Sequence, residues 1–468
     1  MGSPFYSVGE KKVRPGVYKR YENVGAGETP GAVFGVVAIP IHADSGPLGT
    51  VNLFGSADIA AFLALYGSGG TADAVQALFD GGASQVYVYR LGTGGTAPSL
   101  ELQDGALTLT SKYVTTQSLN VTIKAALGSE TEKQLLVYNG TTLLETINYT
   151  TATTDSAAIA AAVNANSQYL NATAGETPAL ISNVTNQALT GGVAPTVNTQ
   201  SYADALTAFE PYTWNYLVLD TVDAAAQALV QPYIDRIFQN GSLGVAILGA
   251  PTSVALATRI SNASAYNDEK IIYLGSGFRT ADGTQVDGYL AIAKQAGVLA
   301  SLSSAESPTH TVIPGAVATL EELTGTQYTN AILGGLLMLS ANSSGQVWFD
   351  AGINTLITPA SNQDAGWKKI RRTMTRFEVF DRIDRAVEPL IGQVNCDDIG
   401  IGDVILAGQA VLDAMVNEGK ILEGASIGED PSQTRGSDYA YFTIALDDID
   451  TLEKIYLTYQ FRFTAEAE

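Results

Sequence analysis

Gly244-Val245-Ala246-Ile247-Leu248-Gly249 is the stretch on which the fold turns. A strand with one wet face alternates apolar and polar residues. This one is apolar throughout between its glycines, the pattern of a strand buried on both faces. The same pattern stands on either side of it. Asn215-Tyr216-Leu217-Val218-Leu219-Asp220 precedes it, and Lys270-Ile271-Ile272-Tyr273-Leu274 follows. Between these strands lie helical segments, Ala224 to Asn240 with Leu229, Ile234 and Ile237 inward, and Ser253 to Ala263; another, Gly288 to Leu302, comes after. Strands of this kind separated by helices imply a parallel sheet covered on both faces.

Working outward toward the N-terminus, Tyr202 to Phe209 reads as a helix, and the α/β texture reappears before residue 92. Ala32 to Ile39 is a buried-type strand, Asp58 to Tyr66 and Ala72 to Phe79 have helical spacing, and Gln85 to Leu91 is a strand. Between the two α/β stretches, residues 92–195 are rich in Thr, Asn and Gly and hold short alternating runs. Asn139-Gly140 between two such runs is a strong hairpin signal. One helix, Asp155 to Asn164, is expected there. This region reads as a β-rich domain inserted into the α/β one, bounded by Gly92-Thr93-Gly94-Gly95 and Gly191-Gly192.

Toward the C-terminus, Ala331 to Ala341 is an apolar element and Gln346 to Phe349 a strand. A long helix is expected from Asp364 to Val387. At 100° per residue Trp367, Ile370, Met374 and Phe377 share one face, and Lys368, Lys369, Arg372 and Arg376 the other. Val404-Ile405-Leu406 reads as strand-like and Val411 to Glu418 as a brief helix. Tyr439 to Leu446 and Lys454 to Phe463 read as a closing pair of strands. In the last, Ile455, Leu457, Tyr459, Phe461 and Phe463 alternate with polar or amphipathic residues. Near the other end stands Lys12-Val13-Arg14-Pro15-Gly16-Val17-Tyr18, extended and without helical surroundings. Terminal strands are readily added to a neighbour's sheet; folding back into their own domain is the plainer alternative.

At 468 residues the chain has room for several cores. It is 46% hydrophobic and 15% charged, below the usual ~25% charged. Such a surface suits a protein that buries much of itself in an assembly. The net charge is −22 and the pI about 4.4, which argues against nucleic acid as a partner. The positive charge is gathered, however. Five of the 25 basic residues lie between Lys11 and Arg20 and seven between Lys368 and Arg385, which suggests a specific charged partner. The N-terminus shows no apolar leader, and Ala331 to Ala341 is too short to span a bilayer, so the expectation is a soluble cytoplasmic protein with no direct membrane insertion.

Signals for chemistry are sparse. No G-x-S-x-G elbow, Walker A loop, H-E-x-x-H or C-x-x-C occurs. Cys396 is the single cysteine, and His42 and His310 are the only histidines. Neither a disulfide nor a Cys/His zinc site is expected. Either histidine would make a general base only with a partner that the sequence does not suggest. Asp397-Asp398 and Asp447-Asp448 with Asp450 fit no Ca²⁺ loop and read as solvated turns. No catalytic residue, cofactor or metal is assigned.

The order of parts resembles the contractile tail sheath proteins of bacteriophages and phage-tail-like particles, most closely those of phages and defective prophages of Gram-positive bacteria. The resemblance is carried by Val13-Arg14-Pro15-Gly16-Val17-Tyr18, the Ala32 to Ile39 strand and Tyr87-Val88-Tyr89-Arg90-Leu91. It is carried also by Gly352-Ile353-Asn354-Thr355-Leu356, the Trp367 to Val387 helix and the Lys454 to Phe463 strand. It implies a structural subunit rather than an enzyme, with no cofactor, that stacks as hexameric rings in a helical sheath around a tail tube protein. Contraction of that sheath drives the tube through a cell envelope. Baseplate and tail terminator proteins would be further partners, and the site would be a virion tail or similar particle assembled in the bacterial cytoplasm.

The expected fold is therefore an α/β core with a mainly parallel sheet, an inserted β-rich domain, and an α+β C-terminal domain with swapped terminal strands. The expected divisions are a linking arm at 1–30, the core at 31–91 and 196–351, the insertion at 92–195, and a tube-facing, subunit-linking domain at 352–468. Val13, Val17, Tyr18, Ile455, Leu457, Tyr459, Phe461 and Phe463 would pair between subunits, and Lys368, Lys369, Arg372 and Arg376 would contact the tube. A hydrolase-like enzyme on the same core and a surface-layer or adhesin protein are the rival readings.

Overall fold

A computed structural model describes residues 35–129 and 131–462. Val13, Val17, Tyr18 and Phe463 lie outside the described residues.

The double-sided apolar strands do form one sheet. Its strands are β1 (Val36–Ile41), β2 (Val51–Gly55), β3 (Gln85–Arg90), β4 (Tyr216–Val218), β5 (Val245–Gly249), β6 (Ile271–Leu274) and β7 (Leu336–Leu337). They lie in the order β7-β6-β5-β4-β1-β3-β2. All neighbours are parallel except β2, which runs antiparallel to β3 in the register Val51 to Tyr89 and Gly55 to Gln85. The edge strand β2 is not legible in the sequence, because Val-Asn-Leu-Phe-Gly is too short to show a period.

Alternation within each strand divides its side chains between two cores. Val37, Ile39, Ile41, Val245, Ile247, Ile272 and Leu274 face α1 (Ile59–Tyr66), α2 (Asp73–Gly81) and, further along the chain, the Gly288–Ser301 helix. Val36, Ala38, Ala246, Leu248, Ile271 and Tyr273 face α3 (Thr199–Phe209), α4 (Val230–Gln239) and α5 (Leu256–Tyr266). The Gly288–Ser301 helix, α6, crosses α2 glycine against glycine. A Cβ on Gly297 would lie 2.1 Å from the Leu78 carbonyl oxygen, so only glycine permits that approach.

The inserted region carries a third core. Three strands, Ser99–Leu102, Leu107–Ser111 and Leu170–Ala174, form one antiparallel sheet. Leu119–Ala125, Glu132–Asn139, Thr142–Thr150 and Val184–Ala188 form another. With the Ser156–Asn166 helix they enclose Leu107, Leu109, Val121, Val137, Ile159 and Val163. The predicted hairpin is present, but Asn139 pairs with Thr142, so the loop is Gly140-Thr141. Gly140 takes the positive φ of 59° at the first loop position. At the neck Thr93 bridges Thr196 and Thr96 bridges Val193.

The chain divides into two compact units, a larger one of described residues 35–377 and 449–462 and a smaller one of residues 378–448. The division falls between Phe377 and Glu378, inside α7 (Ile370–Val387). Residues 352–377, expected to open the C-terminal domain, belong to the larger unit. Thr355 N–H donates to Ile271 O at 2.9 Å, and Ile370, Met374 and Phe377 join the core on the α2 side of the sheet.

The smaller unit corrects three further expectations. Val404-Ile405-Leu406 is not strand-like, and Val411 to Glu418 is not a separate short helix. Both lie in α8 (Asp398–Asn417), which Asp397 caps by accepting the Ile399 and Gly400 N–H groups. Gly400, Ile401, Gly408, Val411, Leu412 and Met415 are its buried residues, and Val411, Leu412 and Met415 share a core with Val379, Ile383, Ile421 and Ile427. By length and composition α8 is apolar enough to cross a membrane. Asp403 and Asp413 interrupt its apolar run, so the sequence does not mark it as one long apolar helix. Phe442–Ala445 pairs with Ser426–Glu429, not with the terminal segment.

Candidate functional site

The basic zone before and within α7 is built as a set of ion pairs. Asp364 N-caps the short 3₁₀ turn Ala365–Lys368, accepting the Gly366 N–H at 3.1 Å. Its carboxylate also receives Arg376 through two parallel bonds, Nη1 to Oδ1 at 2.8 Å and Nη2 to Oδ2 at 2.9 Å. Arg372 approaches at 3.5 Å. The hydrogen bond from Arg376 holds the Asp364 carboxyl below the usual carboxylate range, against the opposing effect of burial, and the two guanidinium charges reinforce it. The Arg376 guanidinium lies 4.5 Å from the Trp367 ring centroid. Lys368 donates to the Ile357 carbonyl.

Lys369 is engaged differently. Its ammonium lies 2.7 Å from Asp450 Oδ2 and 2.8 Å from Glu453 Oε2. Burial pushes its pKa down, but hydrogen bonds to Asp450 and Glu453 outweigh that and raise it. Helical periodicity put these cations on one face and the apolar residues on the other, and Ile370, Met374 and Phe377 are indeed buried. The sequence did not reveal that Asp364, Asp450 and Glu453 would meet the cations, because two of these acids lie about eighty positions away. Nor is the rest of the basic cluster a solvated face. Arg371 is buried and donates to the Ala305 carbonyl. Arg382 is buried against Glu378 and Glu418, and Lys420 pairs with both of those acids.

The terminal segment forms no strand in the single chain. Residues 449–462 have no regular secondary structure. Ile455, Leu457, Tyr459 and Phe461 are 70%, 68%, 74% and 90% exposed, and Tyr456 between them is 88% exposed. The buried face that their alternation predicts is therefore not buried within this chain.

The two histidines have partners that sequence distance hid. His42 follows β1 and Asp220 follows β4, so they sit at the C-terminal ends of adjacent strands, where the order of the sheet reverses. His42 Nδ1 lies 2.7 Å from Asp220 Oδ2. Buried Asp220 also accepts from the His42 N–H, the Thr71 hydroxyl and the Tyr202 hydroxyl. The hydrogen bond to Asp220 raises the His42 pKa against burial. The group thus joins four chain segments, at His42, Thr71, Tyr202 and Asp220. His310 has φ 62° and stacks on Trp348 at 4.3 Å between centroids, a loop anchor. Among the described residues no group of three or more His, Cys, Asp or Glu is placed to hold a metal ion.

Residues 195–355, from the neck of the insertion through β7 to Thr355, match the family model of the phage tail sheath protein central domain. Over those residues the chain is similar to a phage tail sheath central domain. No curated protein matches the chain. Solved structures extend the likeness in fold beyond residues 195–355 to nearly the whole chain. A sheath tail protein from Desulfitobacterium hafniense is 20% identical, covers 94% of this chain and 99% of its own, and superposes with a TM-score of 0.74. A sheath tail protein from Listeria innocua is 18% identical, covers 89% and 96%, and gives 0.70. The contracted sheath complex of an extracellular contractile injection system is 12% identical, covers 96% and 98%, and gives 0.56. The mixed α/β fold with its parallel-rich sheet is thus the fold of sheath proteins. The β4 to β7 strands lie within the matched residues, whereas α7, α8 and the terminal segment lie beyond them in sequence.

Proposed function

We propose that this protein is the structural subunit of a contractile tail sheath. It polymerises as stacked hexameric rings around a tail tube and contracts to drive that tube through a cell envelope. The sheath-domain match over residues 195–355 carries the reading, and the whole-chain likeness in fold supports it. Assembly takes place in the bacterial cytoplasm, with baseplate and tail terminator proteins closing the two ends of the sheath. Contraction is a shift between two packings of nearly rigid subunits and requires no cofactor.

Subunits link through their termini, using Val13, Val17 and Tyr18 of the arm and Ile455, Leu457, Tyr459, Phe461 and Phe463 of the tail. Two observations support this. The tail exposes an alternating apolar row with no partner strand among the described residues. The smaller unit holds a sheet of only two described strands, Ser426–Glu429 and Phe442–Ala445, beside exposed Tyr439 and Tyr441. A two-stranded sheet is marginal alone and gains from added strands. Lys368, Lys369, Arg372 and Arg376 contact the tube, with an acidic tube surface competing for them against Asp364, Asp450 and Glu453.

Negative-stain electron microscopy of the purified protein at high concentration and moderate salt tests the reading. Striated hollow tubes are expected. Dispersed single particles, both alone and with tube protein, would overturn it.

A further inference from the structure

The sequence assigned Lys369 to an outward basic face; its surroundings give it another task. It stands at the joint between the Ala365–Lys368 turn and α7, where Ile353 bridges it, so its backbone is held by the larger unit. Its ammonium grips both Asp450 and Glu453. The other oxygen of Glu453 accepts from the Thr309 hydroxyl at 3.0 Å and the Ser307 hydroxyl at 3.3 Å. Those hydroxyls belong to the loop that His310 secures on Trp348. Three side chains from two separate segments thus converge on one turn of the tail.

The tail changes character at that turn. The side chains of Lys369 and Glu453 are 27% and 19% exposed. Up to Glu453 half-buried and exposed residues alternate, Leu452 being 81% exposed; from Lys454 through Arg462 every residue is exposed, Ile455 at 70%. The chain returns from the smaller unit to the larger one at Ile449, immediately before the clasp.

We propose that Lys369, with Thr309 and Ser307, is the anchor that holds the root of the C-terminal tail on the larger unit and sets the point from which residues 454–462 reach a second copy of this chain. The inference rests on the sheath reading for the destination of the tail, but not for the anchor itself. Lys369 is a positioning residue for the tail: it acts on the link between subunits through the tail, not by touching the second copy of the chain. A load on an intersubunit link enters the subunit at Glu453 and passes through Lys369 to the joint between the sheet and α7.

Glutamyl endopeptidase cleavage after Glu453 reads the anchor in the full-length subunit, because the enzyme must draw the Glu453 side chain into its own pocket. Loss of charged hydrogen bonds in Lys369→Ala should speed that cut about tenfold. Asp450→Asn, which keeps the cleavage site and one ion pair, should speed it by a smaller factor. Lys368→Ala should leave it unchanged, and thermal melting should shift little in all three. An unchanged rate in Lys369→Ala overturns the anchor, whatever the protein assembles into. The link to assembly is read separately: Lys369→Glu should lose tube formation, and the swap Lys369→Glu with Glu453→Lys should recover it. Failure of the swap to recover tubes that wild type forms would refute the positioning role. Absence of tubes from wild type would count against the sheath reading alone, with the cleavage rates still deciding the anchor.

Discussion

Arg90, the last residue of β3, places its guanidinium Nη1 2.8 Å from the carbonyl oxygen of Val114, a residue of the inserted region. The same nitrogen bonds Gly46 O, and Nε bonds Ala43 O. One side chain, 1% exposed, therefore ties the α/β sheet to the insertion. Burial lowers its pKa to about 10, opposed by the nearby Tyr66 and Asp44.

Replacing Arg90 takes the donor from three carbonyls, that of Gly46 in a buried bond and those of Ala43 and Val114 in partly buried ones. Arg90→Met should cost about 3 kcal/mol, since hydrogen bonds from a charged group are lost and their acceptors stay wholly or partly shielded from water. Arg90→Lys should recover only part, because an ammonium cannot reproduce the fork. Denaturant unfolding of the three proteins measures this. A loss below about 0.5 kcal/mol, the range of ordinary surface substitutions, would refute the tie.

The α2–α6 crossing depends on Gly81 and Gly297. Gly297→Ala should destabilise by about 2 kcal/mol or more, because the new methyl meets backbone rather than a movable side chain. Gly283→Ala is a useful comparison. It stands in open space but has φ 89°, so its penalty is conformational only. Equal melting temperatures for wild type and Gly297→Ala would show that the helices part without cost.

The His42–Asp220 pair gives stability a pH dependence of known sign. His42 binds its proton more tightly in the folded protein than in the unfolded chain. The stability it lends is complete below the ordinary value of 6.5 and is lost as pH rises through the elevated folded value. The melting temperature of wild type relative to His42→Gln should therefore be highest below pH 6.5 and fall above it. A flat difference between pH 5.5 and 8.5 would contradict the pairing.

Deleting residues 454–468 removes a segment whose described part, through Arg462, contributes no residue to the buried cores. The truncated subunit should fold with unchanged far-UV circular dichroism and a melting temperature within a few degrees of wild type. It should form no tubes. Tubes of normal length from the truncated protein would eliminate strand exchange through the C-terminus.

The large sheet was legible because its strands are buried on both faces. Residues such as Val245–Leu248 have no polar position to offer solvent, and burial on two sides has no other simple solution than a parallel sheet between helices. Asn139-Gly140 likewise signalled its hairpin, although the loop turned out to be Gly140-Thr141. Misreadings arose where local pattern was ambiguous. Val404-Ile405-Leu406 has β-branched character, yet Asp397 caps a helix that carries these residues through their neighbours' burial. Thr71, Asp220 and Tyr202 gave no signal around His42, because their shared position arises only when β1 and β4 lie side by side.

By itself, then, the sequence determined the elements whose burial is encoded by period: the sheet, its covering helices, the inserted β-rich region and the apolar face of α7. These depend on which side chains leave water, and that is a local property of the pattern. Tertiary structure alone decided the fate of the charges. Lys369 found Asp450 and Glu453, Arg376 found Asp364, and Arg90 found Val114, since an ion pair or a buried hydrogen bond depends on distances in space that residues far apart along the chain acquire only on folding.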